Sequence, residues 1–150
     1  MLAEDKKLVI MARFVPELND IQKLLEKKNI GYASVRGGVS DRAEEIRKFQ
    51  EDTDCRVFVG QIAAAGLGIT LTAASTMVFY SLDYSMSNFE QAKARIHRVS
   101  QTENCLYIYL IVKNTVDAKI LRSLRDKVGL ARTLVDDYRN GINPFQEKEM

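Results

Sequence analysis

The stretch QAKARIHRVSQ, residues 91–101, holds the side chains best suited to chemistry. Arg95 and Arg98 stand three apart beside His97, the single histidine of the chain. At roughly 100° per residue of helix, Gln91, Arg95 and Arg98 fall within a sector of about 60°. Ala92, Ile96 and Val99 fall on the neighbouring sector, with Phe89 at its edge. An apolar side can therefore dock on a sheet while the arginines share an exposed edge. Two fixed guanidiniums repel unless an anion sits between or beside them, and the planar fork of arginine suits phosphate oxygens. A solvated basic face is the other reading of the same run, and helical geometry leaves both open.

Two further segments have the composition of phosphate-facing backbone. GQIAAAGLGITLTAAS, residues 60–75, carries no charged or aromatic side chain. Gly66 and Gly68 permit positive φ and close backbone approach, and Thr70, Thr72 and Ser75 offer hydroxyls. No Gly-Lys-Ser/Thr follows, so this is not a Walker A loop, and a tight strand-to-helix connection is an equal reading. VRGGVSDR, residues 35–42, ends a strand on Gly37 and Gly38, and the following helix N-terminus can receive a phosphate or simply make a turn.

The remaining candidates are weak. His97 points away from the arginine edge, has no second histidine, and is expected to pack or hydrogen-bond; no zinc set is present and no metal is assigned. Cys55 and Cys105 are too few for a disulfide framework and are expected as small apolar residues at strand starts. Asp83 follows a strand and suits a helix cap or loop better than catalysis. No nucleophile elbow or Ser-His-Asp grouping occurs.

The elements that must position these residues alternate in type. Strands are expected at 8–12, 30–36, 55–60, 76–82 and 105–112, the last apolar on both faces as a central parallel strand would be. Helices are expected at 16–29, at 40–50 with Ser40 or Asp41 as N-cap, at 87–98 with a Ser87–Glu90 capping box, and from Asn114 to about Tyr138. In that last helix Val116, Ile120, Leu121 and Leu124 form the buried stripe, and Gly129 is expected to bend or end it. The tail looks frayed. Alternation of this kind implies one α/β domain with a mainly parallel central sheet, helices on both faces, and a ligand site at the carboxyl ends of the strands. The chain has 150 residues, one domain's worth, and a formal net charge of +2, less basic than a dedicated DNA-binding module. No apolar run reaches the roughly 20 residues of a membrane span, so no membrane partner is expected.

Together the segments resemble the second RecA-like lobe of superfamily 2 helicases, of the Snf-type DNA-translocating ATPases. LVIMARF resembles motif IV, AAAGLGITLTAAS motif V, and QAKARIHRVSQ motif VI, while YLIVKNTVDAKIL is similar to the strand and helix that close the lobe. The resemblance covers about residues 6–135. It implies a three-layer RecA-like domain over residues 6–138, with a tail at 139–150. It implies that Arg95 and Arg98 reach ATP phosphates held by a first lobe, Arg98 as the arginine finger, with Gln91 positioning the helix or the nucleotide. It implies that Gly66, Gly68 and Thr70 face the nucleotide cleft. Arg36, Gly37, Gly38, Gln61, Ile62 and Ala63 would lie toward the DNA backbone, in contacts that ignore sequence and respond to salt.

Departures from the family pattern are Ala65 for the second motif V glycine, Thr70 for asparagine, Tyr84 for tryptophan and Ser100 for the motif VI glycine. They suggest a divergent bacterial or phage branch, or one nearer annealing helicases than chromatin remodellers; the expected location is cytoplasmic, or nuclear if eukaryotic. Neither a Walker A loop nor an Asp-Glu-x-His/Asp box occurs, so ATP and Mg2+ are expected to be shared with a missing first lobe. The chain is then a fragment of a larger protein or half of a split enzyme, and alone it is not expected to hydrolyse ATP. An RNA helicase lobe, and a stand-alone module that binds nucleic acid or regulates another ATPase, are the alternatives. Ala94, where RNA helicases usually carry glycine, argues against the first of these.

Overall fold

Short runs of β-branched and apolar residues, separated by amphipathic helical stretches, pair into one sheet in the computed structural model, which describes residues 5–36 and 41–141. In chain order the elements are β1 (Leu8–Ala12), α1 (Val15–Lys27), β2 (Gly31–Val35), α2 (Arg42–Glu51), β3 (Cys55–Gln61), a 3-10 turn (Ile62–Leu67), β4 (Thr76–Phe79), α3 (Met86–Lys93), β5 (Leu106–Tyr109) and α4 (Val116–Arg139). The strand order is β2-β3-β1-β4-β5 and every pairing is parallel. This is the three-layer RecA-like α/β architecture expected.

Alternation along the strands sends side chains to two cores. On one face Val9, Met11, Ala33, Val35, Phe58, Met77 and Phe79 meet Phe49 of α2, Phe89 and Ala92 of α3, and Ile120 and Leu124 of α4. Phe79, Phe89 and Tyr109 form a mutually packed triangle of rings, with centroids 4.7, 5.3 and 5.7 Å apart. On the other face Val57 and Val59 meet Leu18, Ile21 and Leu25 of α1.

Several expectations change. β5 is an edge strand and not central: its even-numbered side chains Leu106 and Ile108 are 55% and 37% exposed, while Tyr107 and Tyr109 pack on the core. Apolar residues on both faces do not fix strand order, which only the pairing decides. The helix expected at 87–98 is Met86–Lys93, and its N-cap is Ser85, whose Oγ accepts from Asn88 N at 3.2 Å. Asp83 accepts from Ser85 N and from Asn88 Nδ2, a loop and cap role as expected. α2 is capped by Asp41, which accepts from Glu44 N; the alternative cap, Ser40, lies outside the described residues, as does most of the expected tail. α4 runs through Gly129 without a break, and Val116 is exposed. Cys55 is buried at the start of β3, and Cys105 is half-buried just ahead of β5.

Candidate functional site

The arginine pair is built on the turn where α3 ends. Beyond Lys93 the ladder tightens: Arg95 N donates to Ala92 O, three residues back, at 3.1 Å. Residues 94–100 therefore do not continue the α-helix. The shared exposed edge expected of Gln91, Arg95 and Arg98 gives way to a different arrangement. Arg95 is only 7% exposed, while Val99, expected on the docking side, is fully exposed. His97 is exposed too, so it does not pack.

Arg95 Nε donates to Gln91 O at 2.9 Å, so the contribution of Gln91 to the arginine runs through its backbone; its own amide nitrogen donates to Ser87 Oγ at 3.3 Å. Among the described residues no carboxylate lies within ion-pair distance of Arg95 or Arg98. Burial, and then the neighbouring Arg98 charge, lower the pKa of Arg95 from the ordinary arginine value. The group stays protonated, because arginine does not lose its proton in proteins. Arg95 is held at Nε while its terminal nitrogens have no hydrogen-bond partner among the described residues and are not sealed from solvent, so a largely buried cation without a counter-charge still presents donors to an anion.

Arg98 is half-buried and lies against the segment after the 3-10 turn. Its Nη1 donates to Thr70 Oγ1 at 3.1 Å and its Nη2 to Gly68 O at 3.5 Å, while its Nε donates to Ala94 O at 3.3 Å. Gly68 has φ +74°, and a Cβ there would meet nothing within 4 Å. Backbone conformation, not space, calls for glycine at that position. Gly66 lies within the 3-10 turn. Gly68, Thr70, Gln91, Arg95 and Arg98 are thus brought into one neighbourhood. It lies between the 3-10 turn that leaves the carboxyl end of β3 and residues 71–74, which run back toward the start of β4. The connection to β4 has to return to the amino end of a parallel sheet. Lys6, Ser75 and Glu103 mark that end, with Lys6 Nζ 2.7 Å and Ser75 Oγ 2.9 Å from the Glu103 carboxylate.

The residues expected toward DNA lie elsewhere. Val35 pairs with Gly60, so Arg36 and Gln61 leave the sheet side by side at its carboxyl end. Arg36 Nη1 donates to Asn19 Oδ1 at 2.7 Å, and Gln61 Nε2 to Arg13 O at 3.3 Å. Ala63 is exposed, but the Ile62 side chain is fully buried and can offer a ligand only its backbone. Gly37 and Gly38 lie outside the described residues. Sequence reasoning missed Ser81 and Glu17, which lock the turn after β1: Ser81 Oγ accepts from Arg13 N at 2.7 Å and donates to Glu17 Oε2 at 2.5 Å. It also gave no role to Gln101 or Gln50. No local sequence signal marks either: Gln50 lies between Phe49 and Glu51 of α2, and Gln101 between Ser100 and Thr102.

Comparison with known proteins gives concordant matches. Residues 1–100 match the family described as the helicase conserved C-terminal domain. The chain is 35% identical over 129 residues to a "SWI/SNF-related matrix-associated actin-dependent regulator of chromatin subfamily A-like protein 1" of Drosophila melanogaster, covering 85% of this chain and 17% of the relative. It is 34% identical over 127 residues to the "Chromatin-remodeling ATPase INO80" of Arabidopsis thaliana, covering 83% of this chain and 8% of the relative. The chain thus spans less than a fifth of the length of these relatives. Among solved structures, the C-terminal part of the Fun30 ATPase domain superposes with a TM-score of 0.76 at 28% identity, over 79% of this chain and 39% of that one.

Proposed function

The chain belongs to the helicase conserved C-terminal domain family as a Snf-type second RecA-like lobe, and on that premise we propose that it is one half of an ATP-driven DNA-translocating motor. Its part in the reaction is to bring Arg95 and Arg98 to ATP phosphates presented by a first lobe. The observation that carries this reading is Arg95: 7% exposed, beside a second guanidinium, with no carboxylate partner among the described residues. A structural arginine so buried would ordinarily be paired. The residues present fit a polyphosphate ligand. Arg95, held at Nε, keeps its terminal nitrogens for oxygens, and Arg98 rests only on neutral acceptors.

ATP with Mg2+ supplies the phosphoryl group and the charge to be stabilised. The first lobe would hold the metal and orient the attacking water, and this chain would supply cationic donors where negative charge develops. Arg36 and Gln61, at the carboxyl end of the sheet, are the groups we assign to the DNA backbone, with the backbone of residues 62 and 63 and with Gly37 and Gly38. Such contacts weaken steeply with salt.

The test is reconstitution. The lobe is mixed with the first lobe of a Snf-type relative, and DNA-stimulated ATP hydrolysis is compared for wild type, Arg95→Ala and Arg98→Ala. Loss of an arginine finger is expected to cost about 10³-fold or more in rate. Unchanged turnover in both variants would reject the role, and would favour a module that binds nucleic acid or regulates another ATPase. The purified chain alone is expected to show no turnover.

A further inference from the structure

Two segments without strand or α-helix, residues 68–74 and 94–101, are bound to one another along their length. Leu71 N donates to Arg95 O at 2.9 Å. The Arg98 guanidinium reaches Thr70 and Gly68. The densest joint is Gln101. Its Nε2 donates to Ala74 O at 2.8 Å, to Ile96 O at 3.0 Å and to Thr72 O at 3.3 Å. Its Oε1 accepts from Glu103 N at 3.2 Å, and its backbone N donates to Arg98 O at 2.8 Å. Three carbonyls around one end of the amide and an N–H at the other fix which end is nitrogen.

This joint answers a physical need. Leu71, Ala74 and Ile96 are buried, and their irregular backbone has no ladder to pair its carbonyls. A carboxamide is uncharged and carries two N–H groups on one nitrogen, which three converging carbonyls can share. A second glutamine secures the far side of the same segment: from α2, Gln50 Nε2 donates to Thr72 Oγ1 at 3.2 Å and Gln50 Oε1 accepts from Ala73 N at 2.8 Å.

We infer that Gln101 is a positioning residue for the arginine pair: its amide clamps the 68–74 segment to the 94–98 turn, so that both arginines and the small-residue segment move as one body. Any displacement of Gly68 or Thr70 then reaches Arg98 without slack. The functional consequence rests on the proposed reading of Arg95 and Arg98 as phosphate ligands; the clamp itself does not.

The test uses Gln101→Glu, which keeps the shape but removes both donors, and Gln101→Met, which keeps the length with no polar atom. In the 150-residue chain, hydrogen exchange at the Leu71 amide is expected to quicken by about tenfold or more in both variants, while the Val59 amide in the sheet keeps its protection. In the reconstituted ATPase, kcat is expected to fall by about tenfold, with the KM for ATP changed by less than about twofold. Unaltered Leu71 exchange in both variants overturns the clamp, as does loss of Val59 protection in both, since a local joint does not hold the sheet. Normal kcat with quickened Leu71 exchange overturns the positioning role. Normal kcat in the two arginine variants would instead reject the proposed function and leave the clamp standing.

Discussion

Arg98 Nη1 donates to Thr70 Oγ1 at 3.1 Å, joining residues 28 apart in sequence. The arginine is thereby held by a hydroxyl and two carbonyl oxygens, all neutral acceptors. Charge-assisted hydrogen bonds to an anion are roughly twice as strong as neutral ones. On the proposed reading, a phosphate oxygen would displace this tether, whereas a carboxylate partner would compete with it. Arg98 is pre-oriented in the free lobe and remains available.

Thr70→Val removes that acceptor and keeps the side-chain shape. One half-buried hydrogen bond contributes about 1 kcal/mol, so the urea midpoint of the lobe should fall by no more than about 0.3–1 M. Turnover in the reconstituted ATPase should fall several-fold, because Arg98 then has to be ordered during the reaction. Thr70→Ser restores the acceptor and should restore the rate. Equal rates for Val and Ser would show that the tether is incidental.

Arg95 should trade stability against activity. Arg95 is 7% exposed with no carboxylate within ion-pair distance among the described residues, and burial is the main cause that lowers its pKa. Replacing an uncompensated buried charge with an apolar chain of similar length relieves desolvation. Arg95→Met is expected to raise the stability of the isolated lobe by about 1 kcal/mol, read from its denaturation midpoint, while abolishing ATPase activity on reconstitution. A destabilised Arg95→Met would mean that the guanidinium is structural.

These expectations could not come from the sequence, although its neighbourhood was legible there. β1 was bounded correctly because LVIMA is a short apolar run between polar residues. In α1 the 3.6-residue spacing groups Leu18, Ile21, Leu24 and Leu25 on one face, and three of these are buried while Leu24 is 52% exposed. Arg95 and Arg98 stood out by type. What misled was assuming one unbroken helix from Ser87 to Arg98. Ser85 caps the helix two residues earlier than Ser87 would, since Asp83 orders the loop ahead of it. The helix stops at Lys93 where Arg95 O is taken by Leu71 N, a partner from outside the helix. Local periodicity carries no information about a partner 24 positions away. For the same reason, β5 could not be recognised as an edge strand.

Acid should loosen the amino end of the sheet. Glu103 is held below the usual carboxylate range by Lys6, and secondarily by Ser75. A carboxyl whose folded pKa is depressed stabilises the fold above its unfolded pKa, and that contribution is lost as pH falls through the folded value. The thermal midpoint of wild type should exceed that of Glu103→Gln at neutral pH, and the gap should close between about pH 5 and pH 3. Both side chains are well exposed, so the gap should also narrow in 1 M salt, where the screening length is about 3 Å. A gap that persists unchanged at pH 3 would rule out the ion pair as its source.

The open edge of β2 is guarded by α2. In a parallel pair each strand spends alternate residues on its neighbour, so Tyr32 O and Ser34 N point away from β3. Glu45 Oε2 accepts from Ser34 N at 2.7 Å, and Lys48 Nζ donates to Tyr32 O at 2.8 Å. The two side chains, three residues apart on one face of α2, occupy the hydrogen-bonding positions that an incoming strand would use. Removing both caps, in Glu45→Ala with Lys48→Ala, exposes an N–H and a C=O at the spacing of a parallel partner. The double variant should self-associate at concentrations where wild type stays monomeric in sedimentation velocity, with little change in helix content. Adding Ser34→Pro, which deletes the freed N–H at an edge position where proline is tolerated, should reverse the association. Self-association that survives the proline would place the contact somewhere other than β2.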